Sequence, residues 1–98
     1  MEDLAWLCLE AWRFGAREQP VGGFGQRAAL YDAYERAGGA AIDEAALRFW
    51  EVYGTLRWGI MCVIQASAHL SGAVRSVELA AIGRRACEME WALLELVA

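Results

Sequence analysis

Apolar residues recur along this chain at helical spacing, in long segments separated by short polar or glycine-rich breaks. The opening stretch MEDLAWLCLEAWRFG sets Leu4, Leu7, Ala11 and Phe14 on one line and Trp6, Leu9 and Trp12 on another. A helix apolar on most sides is a helix covered on most sides. The pattern predicts a first helix over 3–14, with Asp3 as N-cap and Gly15 as the left-handed residue that ends it. AREQPVGGFGQ, residues 16–26, is a loop with the only proline and three of the ten glycines. A second helix spans 27–37 and stops at Gly38-Gly39, with Tyr31 and Tyr34 sharing a face. Asp43 caps a third helix over 44–70, where Leu47, Trp50, Gly54, Arg57, Met61 and Ile64 keep the helical period. Arg48, Glu51 and Thr55 mark the wet side of its first half. That side ends after Trp58, which predicts a more buried second half. SGAVRS turns the chain, and Ser76 caps a fourth helix over 76–97. Its apolar stripe is Leu79, Ile82, Ala86, Met89, Leu93 and Leu96, with Arg84 and Glu88 placed four apart to pair on the outer face. No period-two segment and no internal repeat occurs. The expectation is an all-α fold, a single domain of about four bundled helices.

Composition changes this picture in one respect. Of the 98 residues, 58% are hydrophobic and five are tryptophan, against roughly 45–50% apolar in ordinary domains. The surplus means an unusually dense core or faces meant for a partner, and a chain this short has little interior, which favours the partner. The net charge of −4, with arginine as the only cation, excludes the basic face of a nucleic-acid binder. Cys8, Cys62 and Cys87 are widely spaced within apolar stretches and read as reduced, buried thiols of a cytoplasmic protein. Glu2 and Asp3 stand where a secretory signal would carry bases. The most apolar run, Trp58–Leu70, has 13 residues, short of the about 20 a membrane span needs. His69 is the only histidine and has no cluster of co-ligands beside it, so no metal site is expected.

Few motifs suggest chemistry. GGFG, Gly22–Gly25, lacks the preceding strand, the glycine spacing and the lysine of a phosphate cradle. It reads instead as a flexible or substrate-side loop. The pairs Glu2/Asp3 and Asp43/Glu44 are adjacent, and adjacent helical residues do not face each other. Caps and solvated faces account for them. Ser67 and His69 diverge by about 200° around a helix and form no nucleophile–base pair. Arg57-Trp58 is the most unusual dipeptide. An arginine buried there needs a carboxylate or several carbonyls, through an internal salt bridge or through contact with an anionic group or substrate.

The segments DLAWLCLEAWRFG, PVGGFG, FWEVYGTLRWGIMCVIQASAHLSG and RSVELAAIGRRACEMEWALLEL, taken in order, resemble the C-terminal end of the aminoglycoside phosphotransferase family, and more narrowly its bacterial members without a proven antibiotic substrate. The resemblance spans nearly the whole chain. It implies the helical, substrate-side part of a kinase-like fold, with Asp3-Leu4-Ala5 matching a helix start that follows the catalytic loop. The family's His-Gly-Asp loop, metal-binding Asp and nucleotide lysine have no counterpart here. The resemblance therefore implies no catalytic residue and no cofactor in this chain; ATP and Mg²⁺ belong to a full-length relative. It leaves Asp3 as a helix cap and makes Arg57, Trp58, Gly22, Gly23 and Phe24 the candidates for substrate contact. The apolar first helix would be covered either by the catalytic portion or by a second copy, in a homodimer formed through the first helix and the later half of the third. The alternatives are a free-standing helical interaction module and a subunit that completes a split phosphotransferase.

Overall fold

The computed structural model describes all 98 residues. It is all-α: α1 (Glu2–Leu7), a 3₁₀ turn (Glu10–Trp12), α2 (Arg27–Arg36), α3 (Glu44–Leu70), α4 (Val77–Gly83) and α5 (Ala86–Val97). No sheet is present; the sole β-type pairing is an isolated bridge between Val21 and Gly25. Two compact units divide the chain after Gly54, and α3 supplies residues to both.

In the first unit, Met1–Gly54, the opening helix is shorter than its apolar pattern predicts. Leu9 adopts an extended backbone and is fully buried, and the chain resumes as the 3₁₀ turn. The carbonyls that a longer helix would use internally are taken elsewhere. Leu7 accepts from the Gly22 N–H at 3.1 Å, and Cys8 accepts from Arg13 Nη2 at 2.9 Å. These bonds satisfy a helix end that must otherwise find partners in water. Phe14 then takes a left-handed backbone (φ 47°) next to Gly15, where a bulky side chain is strained. Asp3 lies inside α1, and Met1 holds the N-cap position without a side-chain bond. The expected capping by Asp3 is therefore corrected: the N-cap lies two residues earlier, at Met1.

Ala5, Cys8, Leu9, Ala11, Val21 and Leu47 make the core of this unit. Glu51 is buried with them at 7% exposure, which overturns its assignment to a wet face. α2 contributes no fully buried residue. Gly39 lies against the Tyr34 ring, too close for a Cβ. Asp43 caps α3 as predicted, accepting from the Ala46 N–H at 3.1 Å.

The second unit, Thr55–Ala98, contains the rest of α3 with α4 and α5. Its buried residues are Thr55, Cys62, Met89 and Ala92. Ser76 caps α4, accepting from Leu79 N–H at 3.3 Å. Its own N–H donates to His69 Nδ1 at 2.9 Å, which fixes the end of α3 to the start of α4. The expected single helix over 76–97 is two. Gly83 lies against Ala66, so closely that a Cβ there would overlap it. Arg84 and Arg85 then turn the chain, donating to the carbonyls of Ala81 and Ile82. Glycine weakens a helix by about 1 kcal/mol relative to alanine, and here it also permits the close approach. The pairing on this helix changes accordingly: Arg85, not Arg84, holds Glu88, at 2.8 Å.

The second half of α3 is not the more buried half. Ile60, Val63, Ile64 and Leu70 are all exposed, Leu70 at 81%. Of the three residues read as a wet side, only Arg48 is exposed; Thr55, like Glu51, is buried, and after Trp58 the exposed positions are largely apolar.

Candidate functional site

The most organised polar structure in the chain is centred on Glu51. α3 places Glu51 one turn after Leu47 on its inward face, so its carboxylate enters the core of the first unit. Arg27, at the start of α2, meets it with two parallel bonds: Nη1 to Oε2 at 3.0 Å and Nη2 to Oε1 at 2.9 Å. This bidentate geometry is the strongest form of the arginine–carboxylate pair. Arg13 approaches the same carboxylate at 3.6 Å and bonds Glu10 at 2.9 Å. Glu10 in turn holds Arg17. Three guanidinium groups and two carboxylates thus alternate in a chain that ties the 3₁₀ turn and the following loop to α2 and α3.

The network reaches Cys8, whose carbonyl Arg13 binds. Burial pushes the Cys8 thiol above its ordinary pKa, and the neighbouring Glu51 carboxylate adds to that; Arg27 and Arg13 work against it. The thiol is therefore protonated and shielded, the reverse of what a nucleophile needs. Hydrogen bonding to Glu51 holds the Arg27 guanidinium still more firmly in its charged form, against the desolvation that opposes it. Every charge in the cluster faces an opposite one. The arrangement positions backbone and carries no displaced base or activated nucleophile.

Beside it lies the glycine loop. Gly22 and Gly23 both have left-handed backbones. A Cβ on Gly23 would stand 2.6 Å from the Arg13 carbonyl oxygen, so only glycine fits between the loop and the 3₁₀ segment. The Val21 and Gly25 backbones close the loop, with Val21 buried at its base. Phe24 is presented outward at 74% exposure. Gly22, Gly23 and Phe24 are thus brought together, in a built loop that displays one aromatic ring.

Arg57 and Trp58 belong to the second unit. Arg57 is exposed and Trp58 half-buried, so the expectation of a buried arginine on α3 is corrected. The outward face of the helix carries it, and the arginine that meets a buried carboxylate is Arg27, itself half-buried, on Glu51. Sequence reasoning missed both partners. A signal was present: Glu51 stands four residues after Leu47 and three before Gly54, inside an apolar line of α3.

Of the thiols, Cys62 is buried and pushed up by burial, whereas Cys87 is exposed and departs from the expectation of three buried thiols. No group of three or more His, Cys, Asp or Glu side chains is placed to hold a metal ion. No helix is long and apolar enough to cross a membrane.

A third feature is a groove of about 170 Å³ in the second unit, lined by Leu56, Gly59, Ile60 and Val63 of α3 and by Ala86, Met89, Glu90 and Leu93 of α5. Glu90 is the only charged residue lining it. Such a surface takes up apolar side chains rather than a polar substrate.

Comparison with protein-family models, with curated proteins and with solved structures found no match for this chain.

Proposed function

We propose that this chain is the C-terminal, substrate-side helical subdomain of a phosphotransferase-type protein with a kinase-like fold. Phosphoryl transfer then requires a catalytic portion outside the chain, which supplies ATP, Mg²⁺ and the His-Gly-Asp loop. The observation that carries this reading is the ordered resemblance of four segments along nearly the full length. An all-helical architecture agrees with it. The residues present offer no cluster fitted to Mg²⁺, so no step of the transfer is assigned to them.

Within this reading the first unit has a positioning role. The Glu51 network and the glycine-specific contact at Arg13 hold Phe14 and Phe24 outward, 75% and 74% exposed. Exposed aromatic rings on a rigid frame suit contact with a neighbouring protein surface. The Gly22–Phe24 loop is the proposed acceptor-side element. Arg57 and Trp58 retain a proposed substrate-contact role of lower rank. A second reading, a free-standing helical interaction module, is favoured by the row of open apolar side chains on α3.

Peptide mass spectrometry of the native polypeptide tests the proposal. The expected result is peptides that join Met1 to an upstream stretch bearing a His-Gly-Asp loop, or co-purification with a separate chain bearing one. A native product that starts at Met1 and co-purifies with no nucleotide-binding chain overturns it and leaves the interaction module.

A further inference from the structure

In the first unit, α2 is the element least bound to the rest. None of its residues is fully buried, and only Arg27, Leu30, Tyr31 and Tyr34 are half-buried. Most of its side-chain bonds stay local. Arg36 pairs with Asp32 one turn back at 2.9 Å, and Glu35 accepts from the Ile42 N–H of the following loop at 2.9 Å. Its backbone bonds only neighbouring turns. One polar side-chain tie reaches the core, the two-bond contact of Arg27 with Glu51 on α3. The glycine loop before α2 is fastened differently, by the Gly22 N–H to the Leu7 carbonyl. Cys8 lies at the Arg27–Glu51 contact and is 1% exposed. After burial itself, the Arg27 charge has the largest effect on the Cys8 thiol, ahead of Glu51 and Arg13.

We infer that α2 is a flap that opens as a piece while α1 and α3 stay folded, with the Arg27–Glu51 contact as its latch and Cys8 beneath it. An element opens by itself when the contacts it must break are few. α2 breaks one ion pair and uncovers three half-buried side chains, whereas opening α3 dismantles the core around Leu47. The ion pair is also one that can part at low cost. Removing one partner of a buried pair is expensive because it leaves the other charge alone. Here Arg13 stands 3.6 Å from the same Glu51 carboxylate and stays behind when Arg27 leaves. Arg27, 35% exposed at its side chain, passes into water. The two parallel bonds share one planar fork, so they are made and lost together, which gives the flap two states. The inference does not depend on the phosphotransferase reading, since it concerns only contacts within the first unit.

Hydrogen exchange and maleimide labelling of the intact chain test it, both read peptide by peptide in a mass spectrometer. The amides of α2 should exchange at least about tenfold faster than those of α3 from Leu47 to Gly54. Cys8 should be labelled slowly, through the same opening. Small openings expose little surface and respond weakly to denaturant. Between zero and about 1 M urea, α2 exchange and Cys8 labelling should therefore stay nearly level while α3 exchange climbs. Arg27→Gln should raise α2 exchange and Cys8 labelling by one common factor, about tenfold, the worth of a charged hydrogen-bonded contact. Arg27→Lys, which keeps the charge and loses the fork, should fall between. A single urea slope shared by α2, α3 and Cys8 means that the first unit opens only as a whole and overturns the flap. Cys8 labelling indifferent to Arg27→Gln overturns the latch. Neither result bears on where the catalytic portion lies.

Discussion

The two compact units are built by different means. The first buries six apolar side chains and runs an alternating chain of guanidinium and carboxylate groups through their edge, from Arg17 to Arg27. The second buries only Cys62, Met89 and Ala92 among its apolar residues and leaves ten large ones open, against four in the first. Ion networks are directional: each member needs its partner at one distance and angle, so they fix a unique arrangement at little net gain in stability. Apolar contact is indifferent to direction and grows with area. The first unit is thus specified from within. The second relies on close approach of small residues, Gly83 on Ala66 and Gly59 on Met89, and keeps much of its apolar surface available.

The largest expected effect separates the units most sharply. Glu51→Ala takes from Arg27 its bidentate carboxylate, while Arg13 keeps Glu10, and should lower stability by about 3 kcal/mol, read as a loss in urea midpoint at unchanged slope. Replacing Glu51, Arg27 and Arg13 together by apolar residues of similar volume should recover most of that loss. If the triple variant is as unstable as Glu51→Ala, packing rather than charge governs the first unit. Next in size is Gly83→Ala. The new methyl meets Ala66, and the overpacking should cost about 2 kcal/mol, seen as a fall in Tm of about 8–16 °C for a domain of this size. A neutral result would show that α4 yields freely and that the second unit is softer than its contacts imply.

The helix caps give a matched pair. Asp43→Ala and Ser76→Ala should each cost about 1 kcal/mol. The Ser76 variant keeps the backbone N–H that His69 accepts, so its loss should not exceed that of the Asp43 variant. The smallest effect is a rate rather than a stability. In the native chain one thiol, Cys87, should react promptly with a disulfide reagent at pH 8, and all three once denaturant is added. Prompt reaction of Cys8 would mean that the first unit opens more often than its network suggests.

Features set by neighbours in sequence were legible in advance. The span of α3 from Glu44 to Leu70, its Asp43 cap and the Ser76 cap all follow from residues within one turn of the element they end. Features set at a distance were not. Glu51 looks wet beside Arg48, and only Arg27, 24 positions away, makes its burial tolerable. The split at Gly83–Arg85 depends on Ala66 across the unit, which no local pattern reveals. The inverted exposure of α3 has the same origin. An apolar residue declares that it prefers cover, not that its own fold supplies any. The candidate loop was legible as a loop from its proline and glycines. Its tight seat on the Arg13 carbonyl was not.

Phe14 carries one more consequence. Its left-handed backbone is one that glycine or asparagine adopts with far less strain, and its ring is three-quarters exposed. A laboratory selection acting only on thermal endurance would be expected to discard that phenylalanine early, since relieving such strain is among the cheapest improvements open to a chain. Which residue a population under such selection keeps at position 14 would therefore report whether the ring answers to the fold or to something outside it.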